Sequence, residues 1–180
     1  AAGFAAMLRE AGVQLAGRRV VLLGAGGAAR SVAGLVMAEG AGALTIAARR
    51  VHAATQLVAD LCAGHGQLAG DAKAVALADS AAFRAALRQA DLLINATSVG
   101  TGDAAACPFD PMSVRYLPPA AVVCDLVYAP PETALLRAAR AAGLVTINGL
   151  PMLLHQGAAA FELWTGRPAP LAIMRAGLEA

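Results

Sequence analysis

The stretch from Arg18 to Ala38 constrains this chain more than any other. Val20-Val21-Leu22-Leu23 is a continuous apolar, partly β-branched run, the pattern of a parallel strand buried on both faces. Gly24-Ala25-Gly26-Gly27 follows at once, and Ala28 to Ala38 then reads as a helix with only Gly34 against it. A strand that turns directly into a helix starts a βα unit. Gly24 to Ala29 also fits G-x-G-x-x-G/A, the turn that seats a dinucleotide pyrophosphate on a helix N-terminus. Gly24 makes the tight turn, Gly26 lets backbone approach phosphate without a Cβ between, and the small Ala29 lets the helix pack close to the strand. The free N–H groups of the first helical turn and the helix dipole then favour an anion. An ordinary glycine-rich turn shares the bare pattern. The strand before it and the helix after it favour the nucleotide reading.

The rest of the chain repeats the alternation. Gly3 to Leu15 places Phe4, Met7, Leu8, Ala11 and Leu15 at roughly helical spacing, which predicts an amphipathic helix ending near Gly12 or Gly17. Further strands are predicted at Ala43–Ala47, Ala72–Leu77, Asp91–Ala96, Ala121–Val127 and Leu144–Ile147. Helices are predicted at Val51–Cys62 (ended by Gly64 to Gly66), Ser80–Gln89 (capped by Asp79 or Ser80), Glu132–Ala142, Leu153–Trp164 and beyond Pro170. Thr97 to Pro119, with two glycines and four prolines, reads as one long functional loop. The pattern predicts an α/β, Rossmann-like, doubly wound fold, with a mainly parallel six-stranded sheet and helices on both faces. Ligands of such sheets bind outside the carboxyl ends of the strands. That selects Gly24–Ala29, Ala48–Arg50, Asn95–Gly100 and Tyr128–Pro131.

Composition removes several classes. A net charge of +2 with no basic run offers no electrostatic footprint for nucleic acid. Cys62, Cys107 and Cys124 are far apart and form no CxxC or Cys/His spacing, so no metal site is expected, and buried thiols in a reducing cytoplasm are. Val20 to Ala38 carries Arg30 and several glycines and breaks at a turn, so it is not read as a membrane span.

The end of the second strand separates NAD from NADP. An NAD site commonly places Asp or Glu there for the ribose hydroxyls. This chain has Ala48-Arg49-Arg50 and no carboxylate. Guanidinium groups suit a 2′-phosphate, which they grip bidentately. One such contact contributes about 1.5–3 kcal/mol, a roughly ten- to hundred-fold preference. NADP is the expected cofactor.

Together these segments resemble the shikimate dehydrogenase family along nearly the whole chain. Its GAGGAAR turn is Gly24 to Arg30, and Ala48-Arg49-Arg50 stands where its NRT-type segment falls. Its INATSxG run is Ile94 to Gly100. Its D-x-x-Y-x-P…T-x-L-L run is Asp125, Tyr128, Pro130, Thr133, Leu135 and Leu136, and Gly149, Met152, Leu153, Gln156, Ala160 and Phe161 match a last segment. The resemblance implies NADPH-dependent reduction of 3-dehydroshikimate to shikimate, in the route to aromatic amino acids. It implies that Gly24, Ala25, Gly26, Gly27 and Ala28 hold the pyrophosphate and that Arg49, between Ala48 and Arg50, holds the 2′-phosphate. Thr97, Ser98, Leu126 and Gly149 would line the nicotinamide side, and Tyr128 and Gln156 would reach the substrate. Asn95 is expected to tie down backbone at a strand end, and His155 to be surface or packing rather than a catalytic base. A cytoplasmic monomer or homodimer, with neither nucleic-acid nor membrane partner, is implied.

The chain departs from that pattern. Ala48 replaces the asparagine before the arginine, and Ala53 replaces the usual second arginine, for which Arg50 is the available substitute. Pro151 stands where the last segment has a glycine. The family's N-terminal substrate domain, with its catalytic Lys and Asp, is not matched. The expected division is therefore residues 1–17 as a helix leading from a substrate domain, 18–150 as the NADP-binding domain, and 151–180 as helices packing back toward it. No catalytic residue and no metal ligand is assigned within the chain. The competing readings are a quinate/shikimate dehydrogenase tolerant of NAD, a non-catalytic dinucleotide-binding module, and an S-adenosylmethionine methyltransferase. The missing carboxylate after the second strand weighs against the first and last.

Overall fold

The computed structural model describes residues 1–65 and 71–179. Strands β1 (Arg19–Leu23), β2 (Ala43–Ala48), β3 (Ala72–Ala76), β4 (Leu92–Asn95), β5 (Val122–Asp125) and β6 (Val145–Ile147) form one sheet in the order β3-β2-β1-β4-β5-β6. Every pairing is parallel. Helices α1 (Ala2–Glu10), α2 (Gly27–Ala38), α3 (Val51–His65), α4 (Ser80–Leu87), α5 (Ala134–Ala141), α6 (Leu150–Thr165) and α7 (Leu171–Glu179) complete the fold.

The apolar runs are continuous because each central strand feeds two cores. Val20 and Leu22 of β1 pack on one face with Phe4, Met7 and Leu8 of α1, Val32 and Val36 of α2, and Leu57 of α3. Val21 and Leu23 pack on the other with Phe83 and Leu87 of α4 and Leu135 and Leu136 of α5. Each such side chain contributes about 1.5–3 kcal/mol on burial. One helix contact depends on a missing side chain. A Cβ on Gly3 would stand 2.8 Å from the Met152 carbonyl oxygen, so glycine lets α1 lie directly on α6.

Some boundaries differ from the sequence reading. The expected loop from Thr97 to Pro119 contains a 3₁₀ helix, Pro111–Tyr116, capped by Asp110 accepting from the Met112 N–H at 3.1 Å. Its Val114 and the following Leu117 enter the second core. Six residues are too few to show a helical period. α6 begins at Leu150 rather than Leu153, because Pro151 falls in the first turn, where a missing N–H costs no bond. α3 continues through Gly64, and the expected stop at Gly66 lies outside the described residues. Asp79 caps α4, accepting from the Ala82 N–H at 3.0 Å.

Candidate cofactor site

Strands β1, β4 and β5 end level, and β2 ends one residue beyond. Leu23 is in register with Ala47 of β2 and Asn95 of β4, and Asn95 with Asp125 of β5. Gly24, Ala96 and Leu126 therefore leave the sheet along one line, beside Ala48, the last residue of β2. The strand order reverses between β1 and β4, where open α/β sheets form a crevice. A cleft of about 270 Å3 opens there, lined by Gly24, Ala25, Gly26, Ala48, Arg49, Arg50, Ala53, Leu77, Ala96, Thr97, Ser98, Val99 and Pro108. A second cavity of about 280 Å3, lined by Arg19, Asp71 and Lys73 among others, lies at the amino ends of β1 to β3 and touches none of these residues.

The glycines have different duties. Gly24 has φ +101° and donates its N–H to the Ala47 carbonyl at 2.9 Å. A Cβ there would sit 3.1 Å from Thr97 Cγ2 and 3.2 Å from the Ala96 carbonyl oxygen, so both conformation and room demand glycine. Gly26 caps α2 with φ −84°, and a Cβ on Gly26 or Gly27 would meet nothing within 4 Å. The fold has no steric need of glycine at these two positions. What the missing side chains leave open is the space over the first turn of α2, whose N–H groups have no partner in the helix. Gly27 and Ala28 belong to that turn and do not line the cleft wall. This fits a cradle for an anion.

The cationic side of the cleft is unengaged. Arg49 and Arg50 are exposed, and neither side chain makes a hydrogen bond or ion pair among the described residues. Arg30, by contrast, donates to Asp60 of α3 at 2.6 Å, where Gln56 also donates at 2.9 Å, and so ties α2 to α3. Ala53 lines the same cleft, so Arg50 and the place of the family's second arginine share one wall.

The floor between β4 and β5 is a buried polar network. Asn95 Nδ2 donates to Asp125 Oδ1 at 2.9 Å and to the Val99 carbonyl at 3.3 Å, and Asn95 Oδ1 accepts from the Thr97 N–H at 3.0 Å and the Thr97 hydroxyl at 2.7 Å. The expected backbone-tying role of Asn95 is what the structure shows. Asp125 Oδ1 also accepts from the Val127 N–H at 3.1 Å, and its Oδ2 from the Thr133 hydroxyl at 2.7 Å. Burial pushes the Asp125 carboxyl above its usual range, while the hydrogen bonds from Thr133, Val127 and Asn95 pull it back. The sequence reading gave Asp125 and Thr133 no role. The signal for Asp125 was a carboxylate closing an otherwise apolar strand, and that for Thr133 a threonine just before a helix, where it caps α5.

The remaining predicted residues sit apart from the cleft wall. Leu126 donates its N–H to the Asn95 carbonyl at 2.9 Å, and a Cβ on Gly149 would collide with the Leu126 carbonyl oxygen, so these two are in backbone contact. Tyr128 is 48% exposed at the carboxyl side of β5. Gln156 is exposed on α6, with its stem against Gly3 of α1. His155 Nε2 lies 2.8 Å from Glu10 Oε2, and Arg175 of α7 lies 2.9 Å from Glu10 Oε1, an α1–α6–α7 tie. Burial pushes the Cys107 and Cys124 thiols up. Among the described residues, no group of His, Cys, Asp or Glu is placed to hold a metal ion. Among the same residues, no helix is long and apolar enough to cross a membrane.

Residues 6–102 match the family model for shikimate / quinate 5-dehydrogenase, and residues 149–179 match that for the shikimate 5'-dehydrogenase C-terminal domain. A shikimate dehydrogenase (NADP(+)) of Symbiobacterium thermophilum is 46% identical over 96% of this chain, which spans 58% of that protein. The crystal structure of shikimate 5-dehydrogenase from Thermus thermophilus, in complex with NADP(H) and shikimate, aligns with TM-score 0.78 and 34% identity, over 98% of this chain and 60% of that one. A ligand-free 5-ketofructose reductase of Gluconobacter aligns with TM-score 0.80 and 37% identity, over 98% of this chain and 61% of that one. With the family model covering more than half of its residues, this chain belongs to the shikimate / quinate 5-dehydrogenase family.

Proposed function

We propose that this chain is the NADP-binding half of a shikimate dehydrogenase, an oxidoreductase that reduces 3-dehydroshikimate to shikimate. The observation that carries the reading is one cleft holding both an open backbone cradle at Gly26 and two unengaged arginines, Arg49 and Arg50. Gly24 to Ala28 hold the pyrophosphate on the start of α2. Arg49 and Arg50 hold the 2′-phosphate, with Arg50 serving in place of the arginine missing at Ala53. Thr97, Ser98, Leu126 and Gly149 face the nicotinamide, and Tyr128 and Gln156 turn a phenol and an amide toward a polyhydroxy ring. When bound, NADPH supplies the hydride.

Residues 18–150 form the cofactor domain in this reading. Residues 1–17 lead into it from a substrate-binding unit, and 151–180 pack back on that unit. The last assignment is supported by Leu163, Trp164 and Ile173, which are 82, 81 and 74% exposed on α6 and α7. The chain alone binds cofactor and turns nothing over, because no Lys–Asp pair lies at the cleft among the described residues.

The test is a titration of the chain with NADPH and with NADH, followed by cofactor fluorescence. Tight NADPH and weak NADH binding, with the difference lost in Arg49→Ala, supports the reading. Equal affinities, or oxidation of shikimate by the 180-residue chain, would overturn it.

A further inference from the structure

Four polar residues are buried among the described ones, Thr45, Asn95, Asp125 and Thr133, and the last three form a single hydrogen-bonded chain. We infer that Asp125 is a positioning residue for the nicotinamide half of the cofactor site, an inference that rests on the cofactor reading above. Its carboxylate accepts only, so Asn95 must turn its NH2 toward β5. Asn95 Oδ1 then faces Thr97, where it receives both the N–H and the hydroxyl, and the Thr97 Oγ accepts in turn from the Val99 N–H at 3.2 Å. Thr97 and Val99 line the cleft, and Thr97 Cγ2 packs on the Gly24 turn.

The same carboxylate acts on the other side. Its Oδ1 fixes the Val127 N–H, and the Val127 carbonyl accepts from the Gly149 N–H at 3.1 Å, at the start of α6. One buried group therefore sets the exit of β4, the exit of β5 and the entry to α6. No cation pairs with it among the described residues. An asparagine at this position would be nearly isosteric but has one acceptor oxygen for three donors, the Asn95 NH2, the Val127 N–H and the Thr133 hydroxyl; with that oxygen toward Thr133, its NH2 faces the Val127 N–H and requires the Asn95 amide to turn. The turned amide sets its NH2 against the Thr97 N–H, donor against donor.

The experiment compares the chain with its Asp125→Asn and Thr133→Val variants, titrating each with NADPH and with adenosine 2′,5′-bisphosphate, a fragment confined to the Arg49 side. Asp125→Asn is expected to weaken NADPH about tenfold and to leave the bisphosphate within about twofold. Thr133→Val removes the hydroxyl that holds Oδ2 and that also caps α5 by accepting from the Leu136 N–H at 3.3 Å; it lies off the cleft, so some stability is lost with the cap, and a smaller loss of the same selectivity is expected. Equal losses of both ligands in the variants would make the network merely structural and overturn the inference. So would unchanged NADPH affinity in both variants. Should Asp125→Asn not fold, the Thr133→Val selectivity decides alone. Failure of the unmodified chain to bind either ligand would instead overturn the cofactor reading, and the inference with it.

Discussion

Gly26→Ala tests the proposed phosphate cradle at a glycine for which the fold has no steric need. Residue 26 has φ −84° and ψ −169°, which any L-residue adopts, and a Cβ there meets nothing within 4 Å. Alanine is worse than glycine at a helix N-cap by about 1 kcal/mol, while the stiffer unfolded chain returns about 0.4–1 kcal/mol. The two nearly cancel, so Tm should move by no more than about 2–4 °C. Binding is a different matter. The new methyl stands in the space over the first turn of α2, and each phosphate contact to a backbone N–H that it displaces is worth about 1.5–3 kcal/mol. NADPH affinity should fall roughly ten- to hundred-fold. The assay is thermal unfolding by circular dichroism beside a fluorescence titration. Gly24→Ala is the contrast: its φ of +101° and its 3.1 Å approach to Thr97 predict lost stability as well. A stable Gly26→Ala protein that binds NADPH as tightly as the parent would refute the phosphate cradle.

Other outcomes follow from the packing. Gly149→Ala forces a methyl into the Leu126 carbonyl, an overpacking of about 1–3 kcal/mol, and should lower Tm by roughly 3–10 °C; an unchanged Tm would mean that α6 does not lie on β5's exit. Phe4→Ala empties a fully buried position shared by α1 and the sheet. It should cost about 3–5 kcal/mol, read as a lower urea midpoint with an unchanged m-value. The hydrogen bonds from His155 and then Arg175 hold the Glu10 carboxyl below its ordinary value of 4.5. Its stabilisation is therefore fully present above pH 4.5 and is lost as pH falls through the lowered value. Glu10 is 40% exposed, so solvent screening leaves roughly 0.2–1 kcal/mol. The urea midpoint of Glu10→Gln should fall short of the parent at pH 7, and the gap should close in acid.

Much of this protein was written locally in its sequence. Val20 to Leu23 specified a doubly buried strand because both faces had to be apolar. Gly24 announced its turn, and Arg49-Arg50, with no carboxylate beside them, carried the expectation of a 2′-phosphate. These signals lie within a few residues of one another and need no partner to be read. The tertiary structure decided what depends on distant pairs. It brought Gly24, Arg49 and Thr97 to one cleft through the neighbouring carboxyl ends of β1, β2 and β4. It distinguished the glycine that the fold requires from the one that leaves space, since that turns on what lies within 4 Å. It gave Asp125 its place, joining Asn95 thirty residues earlier to Thr133 eight residues later. No periodicity records such a bond, because hydrogen bonding across strands is fixed by register, and register is settled only when the sheet forms.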